Sequence, residues 1–414
     1  MFQLTWLADH WTILVGDAVA ALAAAYALAA LIATVHWLAR LSRRRRSIKS
    51  GPPVTVLKPL CGAEAGLYDS LRSCCEQDYS DFQIVFGVRT TADPAVQVVR
   101  RLEAEFPQLD IKLVVDERLI GGNYKISNLA NMMAAVRHDV LVIADSDIRV
   151  GRDYLATVTA PLERPGVGLA TCVYRARAAS GFHARLSAMF VNGWFTPSVL
   201  VSRAFGWRAF GFGATLAMRR AVLDEIGGFE AVANHIADDY MLGEMVRRHG
   251  YETVLTDEMV ETAAPDQRLP DLWRHELRQA RALRVLQPVG YGFTFITAGI
   301  PLCGAMLALT GPQAFALAML AVTVMSKWGL QIALCPDRGQ AFRDAWLVPI
   351  RDLLSLAIWI WSHIGRRICW RSNYFVIRRD GSLVEVPPPA LSAWKPANYM
   401  AAWFRLRNAL FKNL

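Results

Sequence analysis

The apolar positions of this chain fall into two kinds of run. Near the ends they are long and unbroken, and in the middle they are short and alternate with polar stretches. Residues 18–35 (AVAALAAAYALAALIATV) hold 18 consecutive uncharged positions, the lower limit for crossing a hydrocarbon layer of ~30 Å. Residues 288–326 are also free of charge, and Gly311-Pro312 divides them. This pattern predicts a helical hairpin of residues 289–310 and 313–335, with Lys327 as one costly interior charge. A third apolar stretch, 346–364, is interrupted by Arg351 and Asp352. As neighbours of opposite sign they would partly neutralise one another. The stretch reads either as a full span or as a re-entrant or surface-lying segment.

The middle has a different rhythm. Residues 54–57 (VTVL) read as a strand ended by Lys58-Pro59, and 65–77 as a helix with Leu67, Leu71 and Cys74 on one stripe. Residues 83–88 (QIVFGV) form the next strand, then a helix over 94–106 spaces Val98, Leu102 and Phe106 by four. A third strand at 111–115, a helix at 126–136 and a fourth strand at 140–144 (VLVIA) complete the series. Short strands separated by helices imply an α/β unit, a mostly parallel sheet flanked by helices. Such sheets gather their functional groups beyond the C-terminal ends of the strands. That rule brings Lys58, Asp93, the run Gly121-Gly122-Asn123-Tyr124-Lys125, and the pair Asp145 and Asp147 to one edge. An acidic group for a base or ribose, with a Gly-rich turn and a lysine for phosphates, suits a nucleotide. Neither the P-loop nor the dinucleotide fingerprint is present. Asp145 and Asp147, two positions apart on a tight turn, can chelate Mg²⁺ or Mn²⁺, whose shell phosphate oxygens and water would complete.

Composition places this unit at a membrane. The 414 residues are 54% hydrophobic with mean hydropathy +0.24, and the excess lies in the terminal runs. A cleaved signal peptide carries its positive charge before the apolar run. Here the first ten residues hold no Lys or Arg, while Arg40 and Arg43-Arg44-Arg45-Arg46 follow the run. The positive-inside rule therefore puts residues 40 onward in the cytoplasm. Arg366, Arg367 and Arg371 after the third stretch favour the same side. The net charge of +9 suits an anionic lipid surface, and no RNA- or DNA-binding motif points to nucleic acid. The seven cysteines form no C-x-x-C pair and read as reduced thiols. Four regions follow: an anchor with its basic flank (1–46), a cytoplasmic unit (47–288), a membrane region (289–364) and an amphipathic tail (365–414). In that tail Trp394, Tyr399, Trp403, Phe404 and Phe411 mix with Arg405, Arg407 and Lys412. Residues 182–213, dense in Phe, Trp, Met and Leu, read either as core or as an interfacial segment that admits a lipid.

Four segments occur in order: VRTTADPA, ADSDIR, HIADDYML and RHELRQARALR. With LKPL at 57–60 and IGGF at 226–229, they resemble the membrane-bound ceramide glucosyltransferase family and its bacterial relatives in hopanoid biosynthesis. The resemblance covers roughly residues 54–300. It implies an inverting transferase with a nucleotide-sugar fold of type A, a UDP-sugar donor and a lipid acceptor, ceramide or a hopanoid polyol. It further implies a bacterial inner-membrane protein. The family signature is three spaced aspartates followed by (Q/R)-x-x-R-W. The aspartates fall on Asp93, for the nucleotide, Asp145, and Asp239. Many animal members have glycine where this chain has Asp147. Arg278 matches the motif arginine, while His275 stands for Gln/Arg and Gln279 for Trp. Inverting transfer needs one base for the acceptor hydroxyl, and Asp239 is assigned that role. It opens a helix closed by Gly250, so the dipole favours its ionised form and burial its neutral one; a plain helix cap is the other reading. Lys125 and Arg278 are assigned to the diphosphate. Two other functions share parts of this pattern. A processive polysaccharide synthase would need more spans and the missing Trp, and a non-catalytic nucleotide-sugar sensor would lack the carboxylates.

Overall fold

The computed structural model describes residues 2–43, 51–64, 66–207, 211–264, 268–370 and 373–388, except for the side chains of residues 2–10 and 12. Helix α1 (Phe2–Arg43) is 42 residues long, longer than its uncharged stretch because no proline interrupts the flanks. The middle then follows the order read from the sequence: β1 (Val54–Pro59), α2 (Leu67–Cys75), β2 (Phe82–Val88), α3 (Ala95–Glu105), β3 (Asp110–Val115), α4 (Tyr124–Met132) and β4 (Val140–Ile143). Alternation along the strands divides the core into two layers. Val54, Val56, Ile84, Phe86, Val140 and Val142 pack with Leu71 of α2 and Val99 of α3. Leu57, Val85, Leu141 and Ile143 pack with Ile126 and Leu129 of α4. Both faces are covered, which is why these strands read as continuous apolar runs.

The second half adds β5 (Ile148–Arg149), α5 (Tyr154–Thr159), β6 (Val167–Ala178), α6 (Phe182–Phe190), a π-helical turn (Val191–Phe195) and α7 (Thr196–Ala204). It continues through β7 (Leu216–Arg219), α8 (Arg220–Glu225), α9 (Asp238–Arg248) and β8 (Glu252–Ala264). The eight strands lie in the order β3-β2-β1-β4-β7-β6-β8-β5. The first four are parallel, β7 is antiparallel to both β4 and β6, β6 and β8 are parallel, and β5 is antiparallel to β8.

The chain then enters its second apolar region through α10 (Leu269–Leu286), α11 (Pro288–Phe293), α12 (Gly299–Thr310), α13 (Ala314–Leu334), α14 (Arg338–Arg343) and α15 (Val348–Ser362). Among the described residues three helices are long and apolar enough to cross a membrane: Ile13–Arg43, Ala314–Leu334 and Ala345–Ser362. A fourth candidate, Pro288–Thr297 with Gly299–Thr310, is bent by 64°, where the sequence predicted one helix over 289–310. The break has a cause. Pro301 has no N–H to offer the Thr297 carbonyl, and the Lys327 ammonium takes that carbonyl instead, at 2.7 Å. Gly16 lies against Met306, Gly299 against Ala23 and Gly329 against Leu31. Helix α12 therefore runs antiparallel to α1, and α13 parallel to it.

Arg351 and Asp352 do not neutralise each other. The Arg351 guanidinium bonds both oxygens of Glu276 on α10, each at 2.7 Å, while Asp352 pairs with Lys327 and accepts the Ile300 N–H at 2.9 Å. Both ends of the 346–364 stretch are tied to the sheet domain. Asp344, just before it, pairs with Arg185 at 2.8 Å, and the Ile364 carbonyl accepts from Arg281 at 2.6 Å.

The region read as the start of an amphipathic tail is instead a sheet. Strands β9 (Arg367–Trp370), β10 (Asn373–Ile377) and β11 (Leu383–Val386) pair antiparallel in the order β11-β10-β9. The sheet docks back on the loop before α9. The Leu383 N–H donates to the Asn234 carbonyl (2.7 Å) and the Ile236 N–H to the Gly381 carbonyl (3.3 Å). Ile236, Ala282, Ile368, Phe375 and Ile377 close a small core between them. The aromatic and basic residues of 394–412 lie outside the described residues.

Candidate active site

Strand ends, one glycine loop and one helix start build the site. Asp145 follows β4 and its N–H donates to the Gly213 carbonyl at 3.2 Å. The Gly213 N–H in turn donates to Asp239 Oδ2 at 2.7 Å. The 211–213 loop thus joins two carboxylates that lie 94 positions apart in the sequence. Side chains at its two glycines would crowd the site. A Cβ at Gly213 would come within 2.8 Å of Asp145 Oδ2, and one at Gly211 within 2.1 Å of the Asp239 carbonyl oxygen. Asp239 lies in the first turn of α9, where its Oδ1 also accepts the Tyr240 N–H at 2.8 Å. Burial and the neighbouring Asp238 push its carboxyl up to about 6, against the pull of Lys125.

Lys125 is the cation at the centre. Its Nζ is 2.6 Å from Asp145 Oδ1 and 3.3 Å from Asp238 Oδ2. Burial opposes its charge, but Asp145, Asp238 and Asp239 outweigh that and keep the ammonium protonated. Asn123 sets this geometry. Its side-chain oxygen caps α4 by accepting the Lys125 and Ile126 N–H groups, and its amide donates to Asp238 Oδ1 at 3.1 Å. Asp147 accepts from Thr262 of β8 at 2.6 Å, and burial followed by the charge of Asp145 raises its carboxyl above the ordinary value. Asp145 and Asp147 line the same cavity, and among the described residues no third His, Cys, Asp or Glu converges with them. Two oxygen-only ligands that disfavour each other's charge fit a hard divalent ion whose remaining ligands are phosphate oxygens and water. Asp93, which also lines the cavity, accepts from Gly62 N, with both oxygens at 3.0 Å, and from Ala95 N at 2.9 Å.

Lys58 does not join them. It lies inside β1, fully buried, and its ammonium donates to the carbonyls of Asp145 (2.8 Å) and Ile148 (3.2 Å). It shapes the turn that carries the two aspartates. The arginines of α10 differ in place. Arg274 and Arg278 both line the cavity, with His275 and Gln279. Arg274 also pairs with Asp271, and Arg281 and Arg284 bond carbonyls of residues 364–367. Asn123 was placed at this edge by the sequence reading but given no role; those it gave no place include Asp238, the 211–213 loop, Thr262 and Tyr174, whose phenol burial holds well above its usual range. Spacing gives no signal for them, apart from the glycines of FGFG.

The cavity measures about 1060 Å³. It is lined by Asp93, Lys125, Asp145, Asp147 and Asp239 and also by Phe190, Trp194, Phe295 and Trp359, with Phe190 stacked on Trp194 and Phe295 beside Trp359. Trp194 of the π-helical turn donates to Thr297, at the bend before α12, at 2.9 Å. The described residues of the aromatic segment 182–207 therefore supply both buried core, as with Leu186 and Leu200, and lining of the cavity, as with Phe190 and Trp194.

The chain is similar to ceramide glucosyltransferase 1 of Caenorhabditis elegans, 26% identical over 259 residues, which are 61% of this chain and 55% of that protein. Ceramide glucosyltransferase 3 of the same organism is 25% identical over 227 residues, 55% of this chain and 49% of that protein. The chain thus spans about half the length of these curated relatives. The solved mannosyltransferase from Pyrobaculum calidifontis, in complex with GDP-Man and Mn²⁺, aligns with 84% of this chain and 98% of its own at 22% identity and a TM-score of 0.48, too loose a likeness to carry chemistry across. The profile of glycosyl transferase family 21 matches residues 17–383, and the chain belongs to that family.

Proposed function

We propose that the protein is a membrane-bound inverting glycosyltransferase that moves one sugar from a UDP-sugar to a lipid hydroxyl, on ceramide or a hopanoid polyol. The observation that carries this reading is that one cavity is lined both by the carboxylates and Lys125 and by aromatic side chains that include Tyr291 of α11 and Trp359 of α15. Asp93 contacts the nucleotide. Lys125 and Arg278 meet the diphosphate with charge-assisted hydrogen bonds. Asp145 and Asp147 hold Mg²⁺ or Mn²⁺, which when bound neutralises diphosphate charge. The acceptor enters from the bilayer along the aromatic side chains. Asp239 takes the proton of its hydroxyl as that oxygen bonds the anomeric carbon. The bond from that carbon to the diphosphate oxygen breaks, and the nucleotide leaves with the electron pair from the opposite face. The sheet domain faces the cytoplasm, in agreement with the basic flank at the end of α1.

The test is lipid mass spectrometry on purified protein with a divalent cation, a panel of UDP-sugars, and ceramide or bacteriohopanetetrol in detergent. A gain of one sugar on one lipid is the expected result. UDP release without a lipid product would withdraw both acceptors. Chelation of the cation is expected to stop transfer, with Mg²⁺ or Mn²⁺ restoring it, and Asp147→Asn should raise the cation concentration required.

A further inference from the structure

Helix α10 brings Arg278 to the cavity but no indole with it, because position 279 is Gln, hydrogen-bonded back to His275 at 3.1 Å. An indole arrives from elsewhere. The Arg278 guanidinium carbon lies 5.5 Å from the ring centroid of Trp370, the last residue of β9. Trp370 is half-buried. Like Ala237, immediately before Asp238, it packs against the buried cluster that includes Ile236, and it lines the cavity together with Arg278. Its cross-strand partner is Asn373. Asn373 donates to the Tyr124 hydroxyl at 2.9 Å, and Arg89 sits 4.8 Å over the Tyr124 ring. Tyr124 precedes Lys125. One cross-strand pair of the C-terminal sheet thus supports two arginine–aromatic contacts in the lining of the cavity.

We propose that Trp370 is a positioning residue for the sugar donor: its ring fixes the plane of the Arg278 guanidinium so that the in-plane N–H groups face the diphosphate, which makes the C-terminal sheet a wall of the donor site. A guanidinium held face-on to an aromatic ring keeps its edge donors available for a planar or forked acceptor. Loss of such a contact is worth about three- to thirtyfold in affinity. The inference rests on the reading that Arg278 contacts the diphosphate.

The experiment uses full-length protein in detergent. Binding of UDP, GDP and ADP is measured by calorimetry, and donor KM, acceptor KM and kcat are measured where turnover is found. The variants are Trp370→Leu, Trp370→Phe, Arg278→Ala and the double variant Trp370→Leu/Arg278→Ala. Trp370→Leu keeps apolar bulk without a π face. It is expected to weaken nucleotide binding and raise donor KM about tenfold while leaving acceptor KM and the thermal midpoint near those of the unaltered protein. Trp370→Phe should recover most of the loss, and the double variant should bind no more weakly than Arg278→Ala alone. Nucleotide affinity within twofold of the unaltered protein in Trp370→Leu overturns the proposal, as does additivity of the two losses. If Arg278→Ala also binds normally, the diphosphate role of Arg278 falls. If Arg278→Ala binds weakly while Trp370→Leu does not, only the role of Trp370 falls. If the unaltered protein binds none of the three nucleotides, the donor reading is overturned and this inference with it.

Discussion

Asp239 sits between opposing influences. Burial and Asp238 favour its protonated form, and Lys125 with the two backbone N–H donors favours the charged one. The balance near 6 is an acidity suited to taking a proton at neutral pH. Below that value Asp239 already carries a proton and cannot accept another. Transfer should therefore fall about tenfold per pH unit under pH 6 and level off above it, as seen in a kcat/KM profile. Asp239→Asn should lower turnover by about a hundred- to ten-thousandfold, with nucleotide binding by calorimetry retained. Arg278→Ala should reduce donor turnover far more than Arg284→Ala, since Arg284 bonds the Gly365 carbonyl at 2.8 Å outside the cavity. Equal losses would mean that Arg278 has no special part. At this scale the convergence of the four aspartates and Lys125 on one cavity was legible, because each follows a strand end or opens a helix. Lys58 was misplaced by one physical detail. β1 runs two residues past its apolar run, through Pro59, and takes the lysine inside.

Glu276 and Arg351 illustrate what elements do for one another here. They are 3% and 6% exposed and joined by two hydrogen bonds, so they bind α10 to α15. Removing one partner of a buried pair leaves the other uncompensated, at about 3–5 kcal/mol. Glu276→Ala should therefore lower the thermal midpoint clearly, and Glu276→Leu combined with Arg351→Met should recover most of the loss. Failure of the double variant to recover would show that α15 is held by something else. This pair explains why 346–364 could not be read from sequence. Its two charges look like neighbours in the chain, but their partners lie 75 positions before Arg351 and 25 before Asp352. The first four strands were legible because both faces are buried and every residue in them is constrained. The sheet over 367–386 was not, because Arg366, Arg367 and Arg371 were read only as a mark of the cytoplasmic side and the segment as part of an amphipathic tail. Its signal was present in the alternation of NYFVI and LVEV around Asp380-Gly381.

For the whole molecule, the packing of α1, α12 and α13 sets which loops share a side. The turn between α12 and α13 should lie across the membrane from the sheet domain, and the segment between α13 and α15 on the domain's side. Membrane-impermeant thiol labelling of oriented vesicles checks this. Gln313→Cys should react from the side opposite the native exposed Cys61, and Arg338→Cys from the same side as Cys61. Labelling of both new thiols from one side would refute the arrangement. The return of residues 367–386 to the loop before Asp238 has a consequence for how the protein is made. When the ribosome has completed β8, every assigned carboxylate and Lys125 already exists, but Trp370 and Asn373 are still about a hundred codons away. Every candidate span except α1 lies between them. The donor wall can therefore close only after the membrane segments have been delivered, so a chain that fails to insert is left with an open site.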